Sequence, residues 1–248
     1  MLRNTFIHIP SVGEKTEKTL WKNKIQTWKD VSKKLPVGPK TTQKIRNHIQ
    51  KSEDAAKRNN YRYFAKQLHT REHWRTRSTV GKHAYVDIET TGLTPYVDHV
   101  TVIGVHTPDE TKLFVRGKNL NEFETYMEQF AHVITFNGAR FDLPFLKRDM
   151  KWEWNGLHTD LYHAGRTIGL QGGLKTIEKE LGISREHDVE GLTGEDAVRL
   201  WRQYERGDED ALQKLCTYCE HDIESLPVLY NHVYHTKKQN LLKHMHTT

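Results

Sequence analysis

Three strand-like runs follow one another between residues 84 and 117: "AYVDIET", "HVTVIGVHT" and "TKLFVRG". Each is rich in β-branched and aromatic residues, and turn-prone residues separate them. A chain that spends this stretch on strands must build a sheet. The segments after residue 117 decide which kind. "NEFETYMEQFA" is an amphipathic helix, with Phe123, Tyr126, Met127 and Phe130 on one stripe. "HVITFN" reads as a short buried strand. "FDLPFLKRDM" starts a helix, since Pro144 is tolerated in a first turn. "LHTDL" is another strand, and everything from "GGLKTIEKELGI" onward reads helical. Strands first, then helix and strand in alternation, then helices predict an α/β domain with a mixed sheet flanked by helices.

Residues 1–78 have a different texture. Helical and irregular stretches alternate, broken at Pro36, Gly38 and Pro39. A helix starts at Gly13, and Ile25, Trp28 and Val31 suit a short second one. Ser52-Glu53-Asp54 reads as the cap of a later helix carrying Ala55, Ala56, Tyr61, Phe64 and Leu68. Charge divides the chain as well. Residues 1–80 hold 19 Lys/Arg against 6 Asp/Glu, and the remainder holds 19 against 26, within a net charge of +6. A basic front joined to an acidic remainder favours a polyanion as partner. The expected organisation is a basic helical region at 1–78, the α/β domain at 79–235 and a loose, polar and basic tail at 236–248.

No run of 18 apolar residues and no signal-peptide pattern is present, so no membrane partner is expected. Two cysteines, Cys216 and Cys219, are too few for a disulfide framework; a reducing, cytoplasmic setting is the expectation. Oligomeric state is not legible.

Asp87 and Glu89 stand two apart in a strand, so both side chains leave one face of the sheet. Two like charges there repel. Either each has a basic partner, or a metal ion holds both. Two further acids favour the metal. Asp142 lies just past a buried strand, where open α/β sheets place active residues. Asp222 lies on a helix, with Tyr218 four residues earlier on the same face. Four acids from four segments can form the all-oxygen site preferred by Mg²⁺ or Mn²⁺. Two such ions, roughly 3.5–4 Å apart, stabilise the attacking and leaving oxygens of a phosphoryl transfer. Tyr218 is then placed to orient or deprotonate an attacking water.

These residues carry a resemblance. Asp87-x-Glu89, Asn137-x-x-x-Phe141-Asp142 and Tyr218-x-x-x-Asp222 resemble the three motifs of the DEDD-type, DnaQ-like 3′–5′ exonucleases on the ribonuclease-H-like fold. The third motif has the tyrosine form; the histidine form would need His where Thr217 stands. A wider stretch, including "FIHIPSVGEKTEKTLWKNKIQTWKDV" and "GEDAVRLWRQYERGDEDALQKLCTYCEHDIESL", resembles the YprB-type ribonuclease-H-like proteins, whose members of shown activity are exonucleases. The resemblance implies that Asp87, Glu89, Asp142 and Asp222 ligate two divalent ions and that Tyr218 positions the nucleophilic water. It also implies that Thr90, Thr91 and Leu93 cradle the terminal nucleotide, with Leu93 against the last base, and that Asn137 and Phe141 shape the same pocket. The implied activity is removal of nucleotides from the 3′ end of single-stranded nucleic acid, DNA before RNA. The alternatives are an RNA-processing exonuclease and a nucleic-acid-binding module that does not use the nuclease fold for catalysis.

"HIPSVGEKTEKTLWKNKI" resembles one helix-hairpin-helix module, in which backbone N–H groups meet a phosphate at a helix start. The usual hairpin has two glycines around one apolar residue; here the run is Ser11-Val12-Gly13. Gly13, Lys15 and Lys18 are the phosphate-binding candidates. Trp21, Trp28 and Trp74 read as core, Cys216 and Cys219 as buried rather than metal-binding, and Asp160 as a helix cap.

Overall fold

The computed structural model describes residues 1–77, 79, 81–94, 96–184 and 191–246. The three leading runs form β1 (Lys82–Thr90), β2 (Val100–His106) and β3 (Thr111–Val115). Two more strands, β4 (Phe130–Thr135) and β5 (Leu157–Asp160), complete a mixed sheet of order β3-β2-β1-β4-β5. β1 pairs antiparallel with β2 and parallel with β4, and β2 pairs antiparallel with β3. Central β1 is therefore where strand direction switches.

Alternation along β1 divides its side chains between two cores. Ala84, Val86 and Ile88 join Ile103, Val105, Phe114 and Val133 beneath α4 (Phe123–Met127) and α5 (Asp142–Asp149). The opposite face carries Asp87 and Glu89. There Val102 and Val115 pack on α8 (Gly194–Tyr204) and α9 (Glu209–His246), through Leu200, Trp201, Leu215 and Cys219. Two short helices, α6 (Leu161–Arg166) and α7 (Leu174–Glu180), come between α5 and α8 along the chain.

The described residues fall into two compact units. One is Lys82–Trp154 with Asp160–Asn231. The other is Met1–Gly81 with Asn155–Thr159 and the chain from His232. The latter unit holds α1 (Glu14–Lys22), α2 (Pro39–Lys57) and α3 (Tyr61–Gln67). Its core is aromatic: Trp21 and Trp28 are buried, and their indole N–H groups donate to the carbonyls of Asn4 (2.9 Å) and Thr5 (2.7 Å). A buried ion pair tightens the same turn. Arg75 meets Glu17 at 2.9 Å and Glu72 at 2.7 Å, while Glu17 also accepts from the Phe6 N–H at 2.6 Å. Removing one partner of such a pair leaves a buried charge, at a cost of about 3–5 kcal/mol.

Several local expectations are corrected. Ser52 does not cap a helix; α2 runs through it. Its hydroxyl donates back to the His48 carbonyl at 2.8 Å, an alternative to capping open to Ser inside helices, and it meets His8 Nε2 at 2.8 Å. The break comes at Asn59, which is left-handed (φ 56), and Asn60 caps α3. The Phe123–Phe130 stripe is not one helix, because Phe130 begins β4 and pairs with Lys82. The polar residues after 235 are not a loose tail. They are helical to His246, with Met245 buried and Leu241 and Leu242 packed on the aromatic core. Among the described residues, no helix is long and apolar enough to cross a membrane.

His8 makes the unit acid-sensitive. It is buried against Trp28 (5.4 Å) and Phe64 (6.4 Å). Burial first, then the nearby His48 and Arg75 charges, lowers its pKa from 6.5 to about 3. Between those values the unfolded chain binds the extra proton, so stability rises with pH and is lost as pH falls below 6.5. Each unit of pH there costs up to about 1.4 kcal/mol. The urea midpoint is expected to drop between pH 7 and pH 5, and His8→Gln should flatten that drop; identical midpoints at both values in the parent protein would refute it.

Candidate active site

The local chain dictates where the acids go. Asp87 and Glu89 are on one face of β1 by alternation. At Glu89/Thr90 the β1–β2 register slips, so that Thr90 pairs with Val100 and Thr101 is passed over. Such irregularities re-aim side chains at the edge of a site. Asp142 is the first residue of α5, reached through a tight loop after β4. In that loop Asn137 is left-handed (φ 63), and the Asn137 and Ala139 N–H groups each donate to the Asp160 carboxylate at 3.0 Å. Asp160 also caps α6, accepting from Tyr162 and His163. Tyr218 and Asp222 are one turn apart on α9.

One cavity of about 780 Å³ collects them. Asp87, Glu89, Asp142, Tyr218 and Asp222 all line it, together with Thr90, Leu93, Asn137 and Phe141. Leu93 is 76% exposed at its rim, and Phe141 stands 4.9 Å from Phe145, half in the core. Thr91 stands apart from the others. It does not line the cavity among the described residues; its hydroxyl donates to Asp98 Oδ1 at 2.9 Å and accepts from the His99 N–H at 3.0 Å, which ties the β1–β2 loop instead. Gly13, Lys15 and Lys18 belong to the other unit, at the start of α1. Gly13 is the N-cap, and Ser11 has the left-handed backbone (φ 72) that glycine adopts most readily.

Close approach of α9 to the sheet brings the third motif to the first. Gly104 pairs with Asp87 across the β1–β2 ladder. A Cβ on Gly104 would lie 2.7 Å from Ile223 Cδ1 and 2.8 Å from Cys219 Sγ. Only the missing side chain lets α9 sit this near.

The electrostatics are those of a site short of positive charge. Burial is the largest cause raising the Glu89 pKa well above the ordinary carboxylate value, followed by the Asp222 and Asp142 charges; Lys175 opposes them. Asp142 is raised to about 7, again chiefly by burial, although the backbone N–H groups of Asp142 and Ile88 favour its charged form. Its Oδ1 is buried with no hydrogen-bond partner. Buried carboxylates that oppose one another, one oxygen left over, are what a divalent cation relieves, and a cluster of four carboxylates suits a hard ion. The donor set therefore fits Mg²⁺ or Mn²⁺.

Asp87, Glu89 and Cys219 also place ligand atoms within 4.8 Å of one another. Cys219 is nevertheless no ligand for a hard cation. Its thiol is wholly buried, and burial together with the Glu89, Asp87 and Asp222 charges holds it protonated, far above its usual pKa.

Several residues escape the sequence reading, four of them of chemical interest. Phe136, Val198 and Arg202 line the cavity, and the Lys175 ammonium sits 4.8 Å over the Tyr218 ring. Phe136 directly follows the buried strand β4 and precedes Asn137, and Val198 and Arg202 share a helical stripe, so spacing could have suggested them. Lys175 offered only its place near the start of a helix.

A mixed sheet with a carboxylate-lined cavity beside its central strand defines a ribonuclease-H-like fold, the architecture of a large class of nuclease hydrolases. The chain belongs to the RNase_H superfamily, whose family model matches residues 84–234. An uncharacterized protein of Methanocaldococcus jannaschii is 29% identical over 170 residues, which is 59% of this chain and 92% of that one. The family B DNA polymerase from the hyperthermophilic archaeon Pyrobaculum calidifontis is similar in structure, with a TM-score of 0.48 and 17% identity. The match covers 58% of this chain and spans 23% of that polymerase.

The packing and the charges each make a stability prediction. Gly104→Ala should cost about 1–3 kcal/mol by overpacking. Ile223→Val removes one of the two clashing atoms, so a double-mutant cycle should show a favourable coupling of at least about 0.5 kcal/mol; strict additivity would refute the contact. For Asp142, a folded pKa near 7 against an unfolded 3.8 means that stability is lost as pH rises through that window. In chelator-treated protein, Asp142→Asn should therefore be more stable than the parent at pH 8, on the order of 1–4 kcal/mol, with the gap closing toward pH 4. Chemical denaturation at the two pH values checks it.

Proposed function

We propose that this chain is a metal-dependent 3′–5′ exonuclease of the DEDD type, tyrosine form, that removes nucleotides from single-stranded ends, DNA in preference to RNA. The observation that carries this reading is the convergence of four carboxylates and Tyr218 on one cavity that also has Leu93, Asn137 and Phe141 in its lining. Two divalent ions held by Asp87, Glu89, Asp142 and Asp222 would supply the charge that stabilises the attacking and leaving oxygens of a phosphodiester.

The chain's own residues do the rest. Tyr218, which lines the cavity, orients the attacking water, with Lys175 adding positive charge at its ring. Leu93 and Phe141 offer apolar surface to the terminal base, and Asn137, turned by its left-handed backbone, offers amide groups to the sugar or base. Thr90 is buried at the cavity wall, and its hydroxyl is committed to the Gly92 carbonyl at 2.7 Å, so it shapes the floor. Gly13, Lys15 and Lys18, in the other unit, are proposed to bind phosphate. The 3′–5′ direction rests on the likeness of the three motifs.

One oligonucleotide sequence, made as single-stranded DNA and as RNA and labelled at either end, tests the reading. With Mn²⁺ or Mg²⁺, a 3′ label should be released at once and a 5′-labelled strand should shorten stepwise, faster for DNA; a chelator should stop both. Asp87→Ala and Asp222→Ala should abolish hydrolysis while melting stays near the parent value. Tyr218→Phe should cost about 10²- to 10⁴-fold. Persistent digestion by the Asp87→Ala/Glu89→Ala protein would overturn the assignment.

A further inference from the structure

We infer that Arg202 is a second anion subsite, which takes a backbone phosphate of the substrate strand away from the carboxylate cluster. This rests on the exonuclease reading and adds to it a residue that grips the strand.

α8 is built to present that residue. A capping box of Thr193 and Asp196 starts it. Ala197, Leu200 and Trp201 bury its inner face. Glu195, Val198 and Arg202, spaced by three and four, form the opposite stripe, and all three line the cavity. From Glu195 to Arg202 the wall extends about 10 Å, longer than one phosphate group needs.

Arg202 is the one cation among the described residues lining the cavity, against five acids. Local acids do not engage it. Asp196 pairs with Arg199 at 2.7 Å, and Glu205 accepts from the Trp201 indole N–H at 2.8 Å. Arg202 has no ion pair or hydrogen bond among the described residues, so its fork of donors is available to a planar or tetrahedral anion. α8, which carries Arg202, supplies none of the four clustered carboxylates that form the carboxylate pole of the cavity. A strand whose scissile phosphate sits at that pole carries further phosphates, and these need a cation outside it.

Two substrates separate this role from a general one. A single-stranded DNA oligonucleotide carries phosphates beyond the scissile bond; the p-nitrophenyl ester of thymidine 5′-monophosphate carries none. With Mn²⁺, Arg202→Ala should raise KM for the oligonucleotide about tenfold. The ratio of kcat/KM between oligonucleotide and ester should fall by about the same factor. The salt slope of oligonucleotide binding should shrink by about one, and Arg202→Lys should recover part of the KM. An unchanged KM for the oligonucleotide, or equal losses on the two substrates, overturns the subsite while leaving the nuclease reading intact. Parent protein that hydrolyses neither substrate overturns both. Melting curves accompany each variant, and Arg202→Gln, which keeps the size and loses the charge, is read by the same criteria should the alanine variant melt early.

Discussion

Everything at the cavity depends on how near a helix comes to a strand. Asp87 and Glu89 are fixed by β1, whereas Tyr218 and Asp222 ride on α9. The two sets meet because the β2 residue beside Asp87 is Gly104, and the Cys219 and Ile223 side chains fill the space a Cβ would take. A methyl group would move α9 by several tenths of an ångström. Catalytic sets tolerate such shifts poorly, since a misplacement of about 1 Å can cost 10²-fold in rate. The register slip at Glu89/Thr90 and the left-handed Asn137 complete the arrangement from the other two sides.

The two units handle buried acids in opposite ways. In the basic unit, Glu17 is buried but saturated, by Arg75, Thr5 and two backbone N–H groups. In the other, Glu89 and Asp142 are buried with like charges around them and little to offset them. The first arrangement is a structural brace. The second carries a standing cost to the metal-free fold, which a bound cation would turn into binding energy.

Much of this is legible in the chain itself, for geometric reasons. Period-two alternation puts Asp87 and Glu89 on one face, helical spacing joins Tyr218 to Asp222, and the strand-end rule draws attention to Asp142. The mixed sheet comes from the order of strands and helices. What fails are judgements that rest on one local signal. Ser52-Glu53-Asp54 looks like a cap, yet burial of Ser52 against His8 overrides it. The polar C-terminal residues look unstructured, yet three sparse apolar side chains, Leu241, Leu242 and Met245, hold them in a helix. Gly104 and Lys175 are invisible for another reason: each matters through a contact made between segments far apart in the chain.

Asp160 shows how far an indirect residue can reach. Its carboxylate holds the loop that delivers Asp142 and caps the next helix, through four backbone N–H groups. In a survey of substitutions scored by activity alone, it would be indistinguishable from a metal ligand, although its oxygens are committed to the backbone. Counting the essential acids of such a site by mutagenesis would return five where the proposed chemistry needs four.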